Sequence, residues 1–410
     1  MKILLAAIYP YIFMLLYLII PFDEYIRALP NILLGILVFA FPLIVKKEDF
    51  KKLIKKPTLL FLLFFFFLVF NSLFFGRIEE DFYIIKKILI SVGLVLLYIP
   101  IQDFNKINKV IIFSSLIVIL YTLYTSIINI NTAESFEFSN YLTDTNLLLI
   151  DNVYIGLLCV LSILISYQSI SREYHPRNNY YVANIIINIA FIVLIASKVA
   201  ALTLLIIFIL KQFYGKNKKI KIMVTAGGLL ILAGAIFLSK DNLKEIIFNP
   251  EPNITEKDHR INTIDWGTRV FIWNCAHSIS TDMGSNFFGI GFKSTADKLL
   301  ACYDESLDSS TKKEAFLLKK YNTHNQFLDF YLSTGLIGLL LFLGILIALF
   351  VKYRKHFFPV ALLVSIIIFF LSENLFHRQI GAYYFGFMLI ILLINNTFFR
   401  NIEENNEHIS

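Results

Sequence analysis

The sequence predicts an all-α protein that crosses a membrane about twelve times. Of its 410 residues, 57% are hydrophobic and only 16% are charged, whereas soluble domains average about 25% charged residues. Apolar runs of about 17 to 20 residues, which is bilayer-spanning length, recur along the chain. These runs show no alternating period, so helices and not a barrel are expected to satisfy the backbone inside the bilayer.

The apolar runs give the order of the predicted spans. The tract 180–210 is interpreted as two helices joined by a tight turn at Ala196-Ser197-Lys198. One continuous span would place the five lysines between positions 211 and 221 outside the cell, against the positive-inside bias. The predicted spans are 3–20, 28–45, 58–75, 84–101, 110–129, 147–168, 180–196, 199–211, 222–239, 326–351, 357–372 and 380–397.

The basic residues are concentrated in alternate connections between these spans, beginning with 46–56. Such a bias is typical of cytoplasmic loops, so we expect a multi-pass protein of a bacterial inner membrane with both termini in the cytoplasm. The net charge of +7 is spread over these loops, which argues against nucleic acid as a partner.

The chain divides around one long hydrophilic stretch. We expect spans one to nine in residues 1–238, an outward-facing loop in 239–325, spans ten to twelve in 326–400, and a polar tail in 401–410. Cys275 and Cys302 both lie in the loop, and a disulfide between them would suit an oxidising compartment. The sequence leaves that pairing open.

Ionisable residues at membrane depth are costly, and they are therefore functional candidates. In this topology they gather on the outer side, with the long loop. The alternative is that each is an interfacial side chain reaching toward lipid headgroups. The candidates are Asp151, Lys198, Asp329, Glu373, His377 and Arg378.

The loop contains one predicted helix that Asp265 or Thr268 would cap and that would run to about residue 280. Its residues at intervals of four are predicted to share one face: Arg269, Trp273 and His277. Gly289-Ile290-Gly291 further on is typical of a turn and only weakly indicates a phosphate-binding nest. No zinc-ligand spacing or Asp-x-Asp pattern occurs, so we expect no metal and no cofactor.

His324 is the sharpest catalytic candidate. Thr323 or Asn325 can cap the tenth span, which places His324 at a helix N-terminus. The partial positive charge there favours a bound anion and a neutral imidazole, and a neutral imidazole can accept a proton from a hydroxyl. An ordinary interfacial histidine remains the alternative.

The motifs in combination resemble the O-antigen ligase/polymerase superfamily. The Ala196-Ser197-Lys198 turn is similar to that family's Ser-Arg-Gly-rich turn, with lysine in place of arginine. The other matching motifs are Arg269-x-x-x-Trp273, Phe288-Gly289-Ile290-Gly291, the stretch from Thr323 to Leu328 leading to Gly335 and Gly338, and Ser372-Glu373-Asn374.

The resemblance implies a GT-C-like membrane glycosyltransferase that is metal-independent and inverting, with an undecaprenyl-diphosphate-linked glycan as donor. It implies that Arg269 and Lys198 hold the diphosphate and that His324 acts on the acceptor hydroxyl. A lysine at position 198 keeps the charge but loses the bidentate fork of arginine. Supporting roles are expected for Asn325, Asp329, Trp273, Glu373 and Arg378.

Four functions remain open at the level of sequence. We favour a ligase that transfers glycan to lipid A-core, because one compact Arg269-to-His324 module occurs late in the chain. A polymerase that joins lipid-linked repeat units shares the same motifs. Transfer to protein hydroxyls is a third option. A transporter or flippase is disfavoured, since transporters place charges near the bilayer midplane.

Overall fold

The computed structural model describes residues 2–23, 25–52, 56–101, 104–132, 149–171, 175–215, 223, 266–284, 286–307 and 310–394. Within these ranges the regular elements are all helices, and no strand occurs. The all-α prediction is therefore confirmed for the described part of the chain. Nearly all of the predicted ninth span, the start of the long loop with Asp265, and the tail 401–410 lie outside it.

The described residues form fourteen α-helices and three 3₁₀ helices. The α-helices are α1 (Lys2–Ile19), α2 (Ala28–Ile44), α3 (Lys56–Phe74), α4 (Ile78–Tyr98), α5 (Phe104–Thr132), α6 (Asn152–Ser169), α7 (Arg177–Leu194), α8 (Lys198–Phe213), α9 (Trp266–Asp282), α10 (Phe292–Ser306), α11 (Ser310–Lys319), α12 (Gln326–Tyr353), α13 (Phe357–Ser372) and α14 (Gln379–Leu393). The 3₁₀ helices are Ile20–Phe22, Lys47–Lys52 and Leu375–His377.

Each predicted span that falls on described residues coincides with one of these helices. By length and apolar composition, 5 helical segments could cross a membrane: Ile3–Phe22, Lys56–Phe74, Lys106–Ile128, Asn152–Ser169 and Gln326–Tyr353. The helices α2, α13 and α14 are apolar but shorter. The membrane class is thus supported, and the number of twelve spans stays a prediction.

The chain turns within the tract 180–210, as the sequence predicts. Helix α7 ends at Leu194 and α8 begins at Lys198. Between them Ala196 has a φ of 49°, a left-handed conformation that reverses the chain over few residues. The side chain of Asn152 donates a 2.8 Å hydrogen bond to the Ile195 carbonyl, which holds the turn against the start of α6.

Burial distinguishes central from peripheral helices. Almost every residue of α14 and most residues of α6 are buried. Helix α3 instead buries Phe61 and Phe64 while it exposes a stripe that includes Leu63, Phe66 and Phe70. A continuous exposed apolar surface of this kind marks a membrane-facing side.

Helix α12 is broken at Gly335, where φ is 74° and ψ is −174°. The extended segment 286–291 crosses the break and satisfies the freed backbone groups, as buried backbone at membrane depth requires. Four hydrogen bonds do this: Ile290 N–H to Leu332 O at 3.0 Å, Gly291 N–H to Ser333 O at 2.9 Å, Leu336 N–H to Asn286 O at 2.8 Å, and Ile337 N–H to Phe287 O at 3.2 Å.

The same segment, which we call the strap (residues 286–291), is held from the other side by α3 and α4. Asn71 donates to the Phe288 carbonyl at 2.7 Å, and Arg77 donates to the Gly289 carbonyl at 2.9 Å. Buried Asp81 accepts from the Phe292 N–H at 2.7 Å and so caps α10. The strap thereby fixes the long loop to the helix bundle.

Candidate functional site

A disulfide joins the two larger helices of the long loop. Cys275 in α9 and Cys302 in α10 are bonded at 2.08 Å, with their Cα atoms 5.9 Å apart, so the pairing left open by the sequence is present. Aromatic side chains from the three loop helices pack around it, with Phe316 against Phe271 and Tyr303. The loop therefore has its own small core, which gives α9 a fixed position.

Glu373 lies at the centre of the candidate site, in the connection between α13 and α14. One carboxylate oxygen, Oε1, accepts from Arg269 of α9 at 3.1 Å. The other, Oε2, lies 2.9 Å from Nδ1 of His324. The guanidinium also donates to the Ser372 carbonyl. The side chains of Arg269, Glu373 and His324 are only 11–13% exposed.

The pKa of Glu373 indicates the protonation of the site. Burial raises the pKa of the carboxyl, but the opposing effects of His324 and Arg269 are larger together, so the pKa lies below its ordinary value. An ionised carboxylate only accepts hydrogen bonds. Nδ1 of His324 must therefore donate, which leaves the lone pair of Nε2 free in the neutral ring. A histidine oriented in this way can act as a general base.

The backbone of His324 is strained. Its φ is 44°, which is uncommon for a residue with a side chain. The Asn322 side chain accepts from the His324 N–H at 2.9 Å, and Tyr321 packs against the ring. Strain that the surroundings enforce is characteristic of functional sites.

Asn325 caps α12, as one of the two predicted alternatives. Its side chain accepts from the N–H groups of Phe327 and Leu328 at 3.0 and 3.1 Å. Asn374 in turn accepts from the Asn325 N–H at 2.7 Å and exchanges hydrogen bonds with Thr323. His324 is therefore held between two residues that the 373–378 connection fixes.

The predicted helix of the loop is α9, and it begins earlier than Thr268. Thr268 lies inside α9 and is buried, so it is not the cap. Trp273 faces the site and donates to the Thr323 carbonyl at 2.9 Å. His277 is exposed. The prediction of one shared face was wrong for His277, because residues eight apart on a helix are rotated by about 80°.

Asp329 belongs to a second polar cluster beside the first. It is buried, and its Oδ2 accepts from Gln326 at 3.2 Å and lies 3.0 Å from Nε2 of His377. Gln326 also accepts from the Phe376 N–H at 3.1 Å. Asp329 thus fastens the 373–378 connection to α12. The side chain of Asp329 contacts Gln326 and His377.

Arg378 and Lys198 lie at the same end of the bundle. Arg378 forms an ion pair of 2.9 Å with Asp151, the residue that precedes α6. Lys198 is exposed at the start of α8, beside the turn that Asn152 holds. The hydrogen bonds of the described residues join Arg269, Trp273, Glu373, His324 and Asn325 into one network, and they do not include Lys198 in it.

The Gly289-Ile290-Gly291 segment is a brace and not an anion nest. The amides of Ile290 and Gly291 donate to α12 carbonyls, and the Gly289 amide donates to the Asn286 side chain at 2.8 Å. A Cβ on Gly289 would lie 2.3 Å from the Ser333 backbone. Glycine is therefore required here for close packing of two backbones.

The sequence missed the partners that organise the site. Asn374 follows Glu373 directly, and its two hydrogen-bonded neighbours lie about 50 residues earlier in the chain. One feature of the sequence could have indicated that Arg77 and Asp81 have a structural role. They form an i, i+4 pair of opposite charge at the start of a span, which is unusual in a lipid-facing segment. Among the described residues, no group of three or more His, Cys, Asp or Glu could hold a metal ion.

Fold and site together define a helical membrane protein with a buried arginine–glutamate–histidine network at one end of its bundle. Residues 183–343 match the family model described as O-antigen ligase. For this range the match confirms the resemblance to the O-antigen ligase superfamily that the motifs indicate. That family is glycosyltransferase-like. The matched range includes Arg269 and His324 but ends before Glu373. No curated protein matches the chain.

Proposed function

We propose that this protein is an O-antigen ligase, which transfers an undecaprenyl-diphosphate-linked glycan to a hydroxyl of lipid A-core at the periplasmic face of the inner membrane. The observation that carries the proposal is the hydrogen bond between Glu373 and Nδ1 of His324, inside a chain with the family match. It leaves Nε2 as a base at the start of α12. The reaction needs one base and one stabiliser of a leaving diphosphate.

In the proposed reaction, the acceptor hydroxyl oxygen attacks the anomeric carbon of the donor glycan. The bond from that carbon to the diphosphate oxygen breaks as the new glycosidic bond forms. The hydroxyl proton passes to Nε2 of His324, and undecaprenyl diphosphate leaves with both electrons of the broken bond. Attack opposite the leaving group inverts the anomeric centre. Glu373 stabilises the imidazolium that results.

We assign Arg269 two tasks. Two of its donors hold Glu373 and the Ser372 carbonyl, which positions the His324 ring. A guanidinium has five donors, so three remain for the oxygens of the diphosphate. Electrostatic stabilisation of a leaving anion is often the largest single contribution to such catalysis. Lys198 would supply a second, exposed cation at the same end of the bundle, without the fork of an arginine.

The outward orientation of the loop is part of the proposal. The Cys275–Cys302 disulfide supports it, because disulfides persist in the periplasm and are rare in the cytoplasm. Lys46, Lys47, Lys51 and Lys56 lie before or at the start of α3, and the strap contacts the end of α3 and the start of α4, which agrees with the positive-inside bias. The network then faces the compartment where lipid-linked glycans and lipid A-core would meet it.

A lipopolysaccharide gel of a deletion strain tests the reaction. Loss of all polymer on the core, with lipid-linked polymer accumulating, is the expected result. Core that carries a single repeat unit would instead indicate a polymerase, and an unchanged ladder would contradict both. Complementation with Arg269→Ala should fail to restore the ladder. Arg177→Ala, which changes an exposed arginine at the opposite end of the bundle, is the matched control and should restore it.

A further inference from the structure

An apolar cavity of about 200 Å³ lies at the end of the bundle opposite the His324 site. It is formed where α3 begins, α4 ends and α14 ends, and the aromatic ring of Phe50 closes one side. Its lining is almost wholly hydrocarbon, including Phe61, Val92 and Leu393. A dry apolar cavity of about 150 Å³ is known to take up benzene, so this cavity is large enough to hold part of an alkyl chain.

One polar group lines this otherwise apolar cavity. Thr58 is only 7% exposed, and its hydroxyl has no hydrogen-bond partner within the described structure. A buried hydroxyl without a partner costs about 1 to 3 kcal/mol. The natural remedy is an acceptor brought in by the occupant.

Lysines lie close in the chain to two residues that line the cavity, Phe50 and Thr58. Phe50 belongs to the 3₁₀ helix Lys47–Lys52, and Thr58 follows Lys56 by two residues. Six lysines and two acidic residues lie between positions 46 and 56. The side chains of Lys46, Lys47, Lys51 and Lys56 are exposed. Basic clusters between membrane helices bind anionic headgroups, with about 1 kcal/mol for each lysine near the surface.

We propose that this is a binding site for one anionic glycerophospholipid. An acyl chain fills the cavity, the ester carbonyl accepts from the Thr58 hydroxyl, and the phosphate lies among the lysines. A polyprenyl phosphate has the charge but no carbonyl for Thr58, so the structure favours the ester-linked lipid. The site is independent of the proposed glycan transfer, and only its assignment to the cytoplasmic leaflet uses the proposed orientation.

Tryptophan quenching by brominated lipids tests the site. Trp266 and Trp273 are the two natural tryptophans, and both lie in α9 at the far end. A Phe50→Trp reporter is placed in the full chain. The protein is reconstituted in phosphatidylcholine vesicles in which about one lipid in five is brominated. Brominated phosphatidylglycerol should quench the reporter at least about fivefold more strongly than brominated phosphatidylcholine at equal content. Phe39→Trp, on an exposed surface of α2, is the control reporter and should show no such preference.

Further variants test the recognition of the headgroup and of the ester group separately. Combining Lys46→Gln, Lys47→Gln and Lys51→Gln should abolish the preference, while Lys293→Gln, Lys298→Gln and Lys320→Gln at the other end should leave it intact. Thr58→Val should abolish the advantage of diester over diether phosphatidylglycerol. Equal quenching by both brominated lipids, or displacement of the quencher by trace undecaprenyl phosphate but not by phosphatidylglycerol, would overturn the proposal.

Discussion

Each carboxylate oxygen of Glu373 is hydrogen-bonded to a different side chain, and these two bonds determine which atoms of the two neighbours remain available. Arg269 is hydrogen-bonded to Oε1 and His324 to Oε2. The carboxylate therefore fixes the positions of the guanidinium and the imidazole relative to each other. Neither partner contacts Glu373 through a flexible surface chain, since all three side chains are largely buried. We therefore propose Glu373 as the positioning residue of the site, whereas the sequence analysis expected only a supporting role for it.

Glu373→Gln should reduce glycan transfer by at least about 100-fold, within the range expected for loss of general-base catalysis. A glutamine of the same shape offers an amide in place of an anion, so it no longer fixes the His324 tautomer or stabilises the imidazolium. The measurement is the transfer rate of the purified protein in nanodiscs. Asp304→Asn, which removes an exposed carboxylate of α10 paired with Lys313, is the control and should retain the wild-type rate.

The lowered pKa of Glu373 predicts a pH dependence of stability. A carboxyl with a lower pKa in the folded than in the unfolded state stabilises the fold fully above its unfolded value, which is about 4.3. That contribution is lost as the pH falls through the folded value. The difference in melting temperature between wild type and Glu373→Gln should therefore be constant above that value and shrink at lower pH. A difference that grows on acidification would contradict the assignment.

At the scale of single elements, the discontinuous helix α12 is the feature that builds the site. Its first half carries the Asn325 cap and presents His324, while its second half spans the bundle. The break at Gly335 is satisfied by the strap, and the strap is fastened by Asn71, Arg77 and Asp81. The position of His324 therefore depends on residues of α3 and α4 far from the chemistry.

Gly335→Ala should destabilise the protein by about 1 to 3 kcal/mol. A Cβ there would lie 2.2 Å from the Phe287 carbonyl oxygen, in a backbone conformation that suits only glycine. Gly344→Ala in the same helix is the matched control, because no atom lies within 4 Å of its Cβ position. Thermal unfolding in detergent, followed by tryptophan fluorescence, compares the two. Equal melting temperatures would show that the strap does not constrain α12.

The sequence predicted the elements better than their relations. The positions of the helices follow from the lengths of the apolar runs. The turn at Ser197 follows from the distribution of basic residues among the connections between spans. The run 61–70 is apolar throughout, so its pattern could not tell the buried Phe64 from the exposed Phe66. The break at Gly335 was not predicted, because the run 326–351 has the length of a single membrane span. The contacts of Glu373 join residues about 50 and 100 positions apart, which no local pattern encodes.

At the scale of the whole molecule, two ends with different chemistry are separated by the apolar bundle. One end carries the disulfide-linked loop and the arginine–glutamate–histidine network. The other carries the exposed lysines Lys46, Lys47, Lys51 and Lys56 and the apolar cavity. Both features agree with a loop outside the cytoplasm, the disulfide through its redox requirement and the lysines through their bias toward the cytoplasm.

Thiol labelling tests this orientation. In a Cys159→Ala background, Ser278→Cys on the exposed side of α9 should react with a membrane-impermeant maleimide in intact spheroplasts. Lys47→Cys should react only after permeabilisation, because we place it in the cytoplasm. The reverse pattern would put the loop inside the cell, and the proposed periplasmic reaction would be lost with it.

The most direct test of the central claim compares His324 with a second histidine of the loop region, His277. The single-turnover rate of glycan transfer from an undecaprenyl-diphosphate-linked donor to a lipid A-core acceptor is measured for the protein in nanodiscs. His324→Ala should lower this rate by at least about 100-fold, while His277→Ala, on the exposed side of α9, should leave it unchanged. A His324→Ala protein that transfers glycan at the wild-type rate would contradict the account.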